Sequence, residues 1–260
     1  MIVKNEGRIL ADCLRDAARF ADEIVITDTG SADDTVNIAR EFTDKVYDFA
    51  WNDDFAAARN ASFEKATGDY CMWLDADDRI DDDNCLKIQR WKEAPAGKLI
   101  LAGYDRPENG GIFIYPRLIR RDSGFIWKGI IHEHLVYDGN RADLTPDDIV
   151  TADFVIRHCK SGAENYARNI RIMEHLSEEE LLDSFWLCAQ CYLDCVLAHE
   201  DERAAYYLKL AADSRTPFAD RLKDYALINS VLKHRKQYDA MLRWNAMYME
   251  SKKHQPVLSF

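Results

Sequence analysis

The run Tyr70-Cys71-Met72-Trp73-Leu74-Asp75-Ala76-Asp77 decides how this chain folds. Its apolar half reads as a buried strand, and two carboxylates follow at the strand's end. Carboxylates one residue apart in that position are placed to hold a hard divalent cation jointly. Mg²⁺ in particular takes one or two carboxylates together with phosphate oxygens. The stretch therefore suggests a metal–diphosphate site. Acidic triplets are common in loops, so the place of this one in the fold gives it its weight.

Upstream, strand and helix patterns alternate. Ile2-Val3 opens a strand, and Leu10, Cys13, Leu14, Ala17 and Ala18 recur at helical spacing. The β-rich run Ile24-Val25-Ile26 leads into the turn Asp28-Thr29-Gly30-Ser31 and then a helix carrying Val36, Ala39 and Phe42. Ser31 and Asp34 are spaced like a capping box. Val46-Tyr47 is a short strand, 55–66 a helix, and 70–74 the strand quoted above. This alternation implies a mainly parallel sheet with helices on both faces. Ligands bind such sheets beyond the carboxyl ends of the strands. Asn5-Glu6, Asp28 and Asp75-Ala76-Asp77 each follow such an end. Asp28 has a second explanation, as a residue that opens a turn and caps a helix. The carboxylate run Asp77-Asp78 with Asp81-Asp82-Asp83 lacks the glycine and closing glutamate of a calcium loop, and its later Asp residues are expected to cap a helix over 84–91.

Downstream the pattern changes. Residues 98–104 and 112–119 read as strands joined at Asn109-Gly110-Gly111. Further short strands are expected at 125–127 and 154–156, with a polar loop over 138–152. From about residue 163 the chain looks wholly helical, with helices over 164–176, 178–197, 201–213, 218–233 and 236–250. Antiparallel pairs of that length suggest a tetratricopeptide-like array. The expected division is 1–160 and 161–260.

The 260 residues carry a net charge of −12, with 47% hydrophobic residues. Such acidity disfavours nucleic acid and anionic membrane as partners. No apolar run is long enough to span a bilayer, and the first residues lack a signal-peptide layout, so a cytoplasmic location is expected. Seven cysteines, an odd number, do not form a disulfide scaffold. Cys188 and Cys195 share one helical stripe with Leu181, Phe185 and Tyr192, so the Cys188, Cys191, Cys195 cluster is expected to pack as small hydrophobes.

Five ordered motifs carry a resemblance. They are Met1-Ile-Val-Lys-Asn-Glu6, Asp22-Glu-Ile-Val-Ile-Thr-Asp-Thr-Gly-Ser31, Asp54-Phe-Ala-Ala-Ala-Arg-Asn60, Ala66-Thr-Gly-Asp-Tyr70 and Leu74-Asp-Ala-Asp-Asp78. The set resembles family-two glycosyltransferases of GT-A fold, in the branch with a C-terminal helical region that includes bacteriocin peptide S-glycosyltransferases. The likeness is dense over 1–80, continues to His132-Glu133 and His158, and is loose beyond. It implies a GT-A nucleotide-diphospho-sugar transferase fold, a mixed and mostly parallel sheet between helices, followed by an all-α helical-hairpin region.

The resemblance also implies roles. Val3, Glu6 and Asp28 would line the nucleotide pocket, with Asp28 at the uracil. Arg59 would lie near the diphosphate. Asp75 and Ala76 would face the donor sugar or ribose, and Asp77 would ligate the metal. Three departures stand out. The first strand starts almost at residue 1, the family's Ser-Thr-Asp is Ser31-Ala32-Asp33, and its His-x-Gly-Tyr is replaced from His158-Cys159-Lys160 onward.

The implied reaction is an inverting, metal-dependent transfer from a UDP-sugar, with Mn²⁺ or Mg²⁺, to a peptide, protein or saccharide acceptor. Asp77, with Asp75, would hold the cation, and His158 either completes the shell or is an ordinary histidine at a strand end. Glu133 is the first choice for general base and His134 the second, with His132 beside them. If 132–134 lie on a strand, at most two of the three share a face. The spacing is not the H-E-x-x-H of a zinc helix. Polysaccharide or lipopolysaccharide synthesis is an alternative setting. A phosphatase using D-x-D is a rival, but there the motif usually follows the first strand and continues with a small hydroxyl residue, not with Asp78-Arg79. A non-catalytic binding module is another rival, with the helical array recruiting a protein or a second copy of the chain.

Overall fold

The computed structural model describes residues 1–140, 143–159 and 165–253. Two compact units result, Met1–Pro107 with Gly111–Gly162, and Glu108–Gly110 with Ala163–Phe260. The sequence boundary at 160/161 and the first expected helical residue, 164, lie outside the described residues, as does Lys160.

The first unit opens with β1 (Ile2–Val3), α1 (Leu10–Ala17), β2 (Ile26–Asp28), α2 (Thr35–Arg40), β3 (Val46–Asp48) and α3 (Phe55–Glu64). Strands β1, β2 and β3 pair in parallel in that order. Then follow β4 (Tyr70–Met72), β5 (Asp78–Arg79), α4 (Asp82–Glu93), β6 (Leu99–Arg106), β7 (Gly111–Arg120), β8 (Phe125–Lys128), β9 (His134–Tyr137) and β10 (Ile149–His158). A five-stranded sheet runs β4-β7-β6-β10-β5, with β6 and β10 parallel and the other neighbours antiparallel. The β8–β9 hairpin stands separately. The fold is thus a mixed α/β sheet system, with β4 entering through β7 rather than through β1.

Several elements differ from the sequence expectation. The second strand starts at Ile26 instead of Ile24, because the stretch before it is held by loop contacts such as Thr43 Oγ1 donating to Ile24 O. Ser31 and Asp34 form no capping box. Ser31 Oγ accepts from the Asn5 amide, and Asp33 accepts from Thr35 at the helix start. Within the expected loop 138–152 a short 3₁₀ turn, Pro146–Asp148, carries its own capping box, and β10 begins at Ile149. Asp81 does cap α4, accepting from the Asn84 amide at 2.9 Å.

One irregularity matters for the site. Along β7, Leu118 faces Ile100 and Pro116 faces Leu101, so Arg117 is the extra residue of a β-bulge. A bulge re-aims a side chain and tolerates a proline that cannot donate to the ladder. Arg117 is thereby turned into the interior, where its side chain is fully buried.

Two apolar clusters support the strand ends. One joins Cys13, Ala17, Ile88, Ile100, Phe154 and Ile156, and the other joins Val3, Leu10, Leu14, Ile26 and Ala39. A separate cavity of about 300 Å³, lined by Met1, Phe20, Phe63, Tyr70 and Trp91 among others, includes no side chain of the acidic cluster described below.

The second unit is helical: α5 (Tyr166–Met173), α6 (Glu178–Asp183), α7 (Phe185–Leu197), α8 (Asp201–Asp213), α9 (Phe218–His234) and α10 (Tyr238–Lys253). The expected helix 178–197 is two helices, because Ser184 leaves helical geometry and caps α7 through the Leu187 amide. Trp244 is fully buried, stacked on Tyr192 with ring centroids 5.3 Å apart. Cys188, Cys191 and Cys195 are buried thiols. Burial pushes those of Cys188 and Cys195 up to about 12, so they pack as apolar groups. No helix among the described residues is long and apolar enough to cross a membrane.

Candidate active site

The loops after β1 and β2 are laced together. Asn5 has φ +58°, its amide donates to Ser31 Oγ, and its side-chain oxygen accepts from the Ala32 amide. The Glu6 amide donates to Thr35 Oγ1 at 2.7 Å, and the Val3 carbonyl accepts from Thr29. Asp28 is 4% exposed. Its Oδ2 accepts from the Gly30 and Ser31 amides at 3.0 and 2.9 Å. Its Oδ1 is buried with no partner among the described residues. A buried acceptor without a donor is costly, and suits a ligand that supplies one.

A second group forms around Arg59, on the inner face of α3. Asp54 caps that helix by accepting from the Ala57 amide. Arg59 Nη2 donates to Asp75 Oδ1 at 3.2 Å, and its Nε donates to Glu133 Oε1 at 2.6 Å. The guanidinium also lies over the rings of Trp73 (4.6 Å) and Trp127 (5.1 Å). Burial works against its charge, but Asp75 and Glu133 outweigh that and hold it protonated. For Asp75, burial acts to raise the carboxyl, and the Arg59 and Arg117 guanidiniums bring it below the usual range.

Glu133 reaches Arg59 because the β8–β9 hairpin is clamped to α3. Asn60 donates to the Trp127 carbonyl at 2.9 Å and accepts from the Trp127 amide at 3.0 Å. The Phe55 amide donates to Ile130 O at 3.0 Å. Residues 129–133 form the turn of this hairpin, with Gly129 at φ +99° and His132 at φ +51°. The strand-face argument for 132–134 therefore does not apply. His132 and Glu133 belong to a turn, and only His134 is on a strand, exposed and opposite Lys128.

The third group lies at the end of β10. His158 Nδ1 is 3.4 Å from Asp77 Oδ1 and 3.8 Å from Asp78 Oδ1. The Cys159 amide donates to the Asp77 carbonyl at 2.8 Å and ties the two chain segments. Burial pulls His158 down, but the nearby Asp77 and Asp78 carboxylates dominate and push it up to about 9. Among the described residues, Asp77, Asp78 and His158 are the cluster that can place three ligand atoms together, within 4.8 Å. Ala76 is buried between the two Asp residues, its carbonyl accepting from Arg79 at 2.9 Å.

Residues 1–161 match the family model for glycosyl transferase family 2. The chain belongs to that family. Among relatives of this family 2 chain, a TPR repeat-containing protein of Synechococcus elongatus is 44% identical over 93 residues, covering 36% of this chain and 22% of that protein. The SPbeta prophage-derived glycosyltransferase SunS of Bacillus subtilis is 27% identical over 232 residues, covering 85% of this chain and 54% of SunS. The chain thus spans about half or less of the length of these curated relatives. A solved structure of S. aureus TarS in complex with UDP-GlcNAc superposes with a TM-score of 0.47 at 15% identity, covering 98% of this chain and 92% of that one.

Three residues that pack into this candidate site were given no role from the sequence. Arg117 is sandwiched between Trp73 and Tyr104, 3.7 Å from each ring centroid, and pairs with Asp78 at 3.3 Å. Tyr104 donates to Asp78 at 2.8 Å. Asp78 is a third carboxylate, fully buried, that also accepts from the Asp75 amide at 3.0 Å. The only signal for any of them was Asp78 continuing the Asp75-Ala76-Asp77 triplet.

Proposed function

We propose that this chain transfers a sugar, with inversion, from a UDP-sugar to a peptide or protein side chain. The observation that carries the proposal is the pairing of Arg59 with Asp75 and of Asp77 with His158, after β4 and at the end of β10, in a chain of family 2. Asp28 supports the uridine, since its unpartnered Oδ1 can accept a base N–H. Arg59 supports the diphosphate by charge. The helical second unit, with its paired helices, supports a peptide or protein acceptor.

The residues fit a divalent cation. Asp77 offers oxygen and His158 offers imidazole, a mixed set that suits Mn²⁺ better than the oxygen-preferring Mg²⁺. A cation held there would supply Lewis-acid charge to the leaving diphosphate. Asp75 would orient the donor. Glu133 would take the acceptor proton as the acceptor atom bonds to the sugar's anomeric carbon and the bond to the diphosphate oxygen breaks. Its contact with Arg59 keeps the carboxylate beside the group that would meet the diphosphate.

The test is a panel of UDP-sugars with Mn²⁺, offered to peptide and saccharide acceptors and read by mass spectrometry. A sugar mass added to a peptide, lost in Glu133→Gln with UDP binding retained, is expected. Absence of turnover with every donor, together with phosphate release from a generic ester, would replace this reading with a phosphatase.

A further inference from the structure

We propose that Tyr104 is a positioning residue that fixes which nitrogen His158 turns to the cation. The inference rests on the metal-site reading above and adds a residue to it.

The reasoning is a count of donors. Asp78 is fully buried and pairs with Arg117. A carboxylate in such a pair only accepts. Its Oδ2 already takes the Arg117 Nη1 and Asp75 amide donors, at 3.3 and 3.0 Å. Its Oδ1 takes the Tyr104 hydroxyl at 2.8 Å. A phenol has one proton, and here it is committed to Asp78. The Tyr104 oxygen can then only accept from its remaining neighbour, His158 Nδ1, at 3.0 Å. Nδ1 must therefore carry hydrogen. Asp77 Oδ1 lies 3.4 Å from the same nitrogen, farther than the Tyr104 oxygen, so the Nδ1 hydrogen is held by Tyr104. A neutral imidazole with hydrogen on Nδ1 bears its lone pair on Nε2.

Two consequences follow. His158 would meet a cation through Nε2, with Nδ1–H held by the Tyr104 oxygen. A histidine ligand whose other nitrogen donates to a fixed acceptor is oriented in just this manner. Asp78, with both oxygens engaged, orients Tyr104 instead of ligating, although it belongs to the acidic cluster. The Arg117 bulge is the root of the arrangement, because Arg117 packs against the Tyr104 ring and pairs with its acceptor.

The test measures Mn²⁺ affinity directly, by electron paramagnetic resonance of free Mn²⁺ in the presence of UDP. Tyr104→Phe keeps the ring and removes the hydroxyl. It is expected to weaken Mn²⁺ binding roughly 10–100-fold, with metal-free UDP affinity unchanged. Parental Mn²⁺ affinity in Tyr104→Phe, with affinity lost in Asp77→Ala and His158→Ala, would overturn the positioning role and leave the metal site standing. Parental affinity in His158→Ala would overturn the metal reading and this proposal with it. A readout that needs no variant is ¹⁵N-histidine NMR of the parent with Mg²⁺ and UDP. Hydrogen on Nδ1 of His158 is expected, and a bare Nδ1 with hydrogen on Nε2 alone would overturn the proposal.

Discussion

Arg117→Met removes the charge beneath the acidic triplet while keeping an unbranched stem of similar reach. In the native protein the guanidinium is fully buried, paired with Asp78 at 3.3 Å and stacked 3.7 Å from the Trp73 and Tyr104 rings. The variant leaves Asp78 buried, with the Tyr104 hydroxyl and the Asp75 amide as donors and the His158 ring 3.8 Å away. Removing one partner of a buried pair costs about 3–5 kcal/mol, mostly as the penalty on the charge left behind. For a domain of this size that is roughly a 6–20 °C loss in Tm. The assay is urea unfolding followed by tryptophan fluorescence, to which Trp73 contributes. The double variant Arg117→Met with Asp78→Asn removes both charges, so it should recover at least about 2 kcal/mol relative to the sum of the single variants. A single-variant loss below about 1 kcal/mol, or strict additivity in the cycle, would refute the reasoning that this pair is a buried, mutually dependent unit.

Acid titration gives a second prediction. Burial acts to raise Glu23, but its bonds from Lys45, Thr67 and Gly68 outweigh that and bring it down from 4.5 to about 2. Because the folded value is depressed, the stabilisation is present above pH 4.5 and is lost as pH falls toward 2. It amounts to about 3 kcal/mol at most, and Glu23→Gln should flatten that limb of the stability–pH curve. Asp28→Ala should weaken UDP binding at least about tenfold by calorimetry, as expected for loss of a charge-assisted hydrogen bond, and leave inorganic diphosphate binding unchanged. Equal loss for both ligands would move Asp28 away from the base. In the helical unit, Trp244→Ala should cost about 3–5 kcal/mol in denaturant unfolding, since Trp244 is fully buried against Phe185, Tyr192 and Tyr225.

Much of the fold was legible because local patterns agreed with tertiary packing. The stripe of Leu10, Cys13, Leu14 and Ala17 is the buried face of α1, and α8 spans the expected 201–213. The acidic triplet follows a strand, and Arg59 does reach Asp75. Other features have no local signature. β5 is two residues long and exists only because β10 pairs with it. The 129–133 turn depends on a positive φ at Gly129 and on the Asn60 clamp, a contact across 67 residues. Arg117 reads as one more polar residue in Tyr115-Pro116-Arg117-Leu118, and only the bulge opposite Ile100 and Leu101 turns it inward. The same turn chemistry explains why His132 and His134 do not act as a pair around Glu133. One sits in the bend and the other is the exposed first residue of β9.

The most direct test is a crystal structure of the protein with UDP and Mn²⁺, collected at the manganese absorption edge. The account predicts an anomalous peak bonded to Asp77 and His158, with the uracil hydrogen-bonded to Asp28 and the diphosphate beside Arg59. A manganese peak remote from Asp77, or a nucleotide bound away from Asp28, would contradict it.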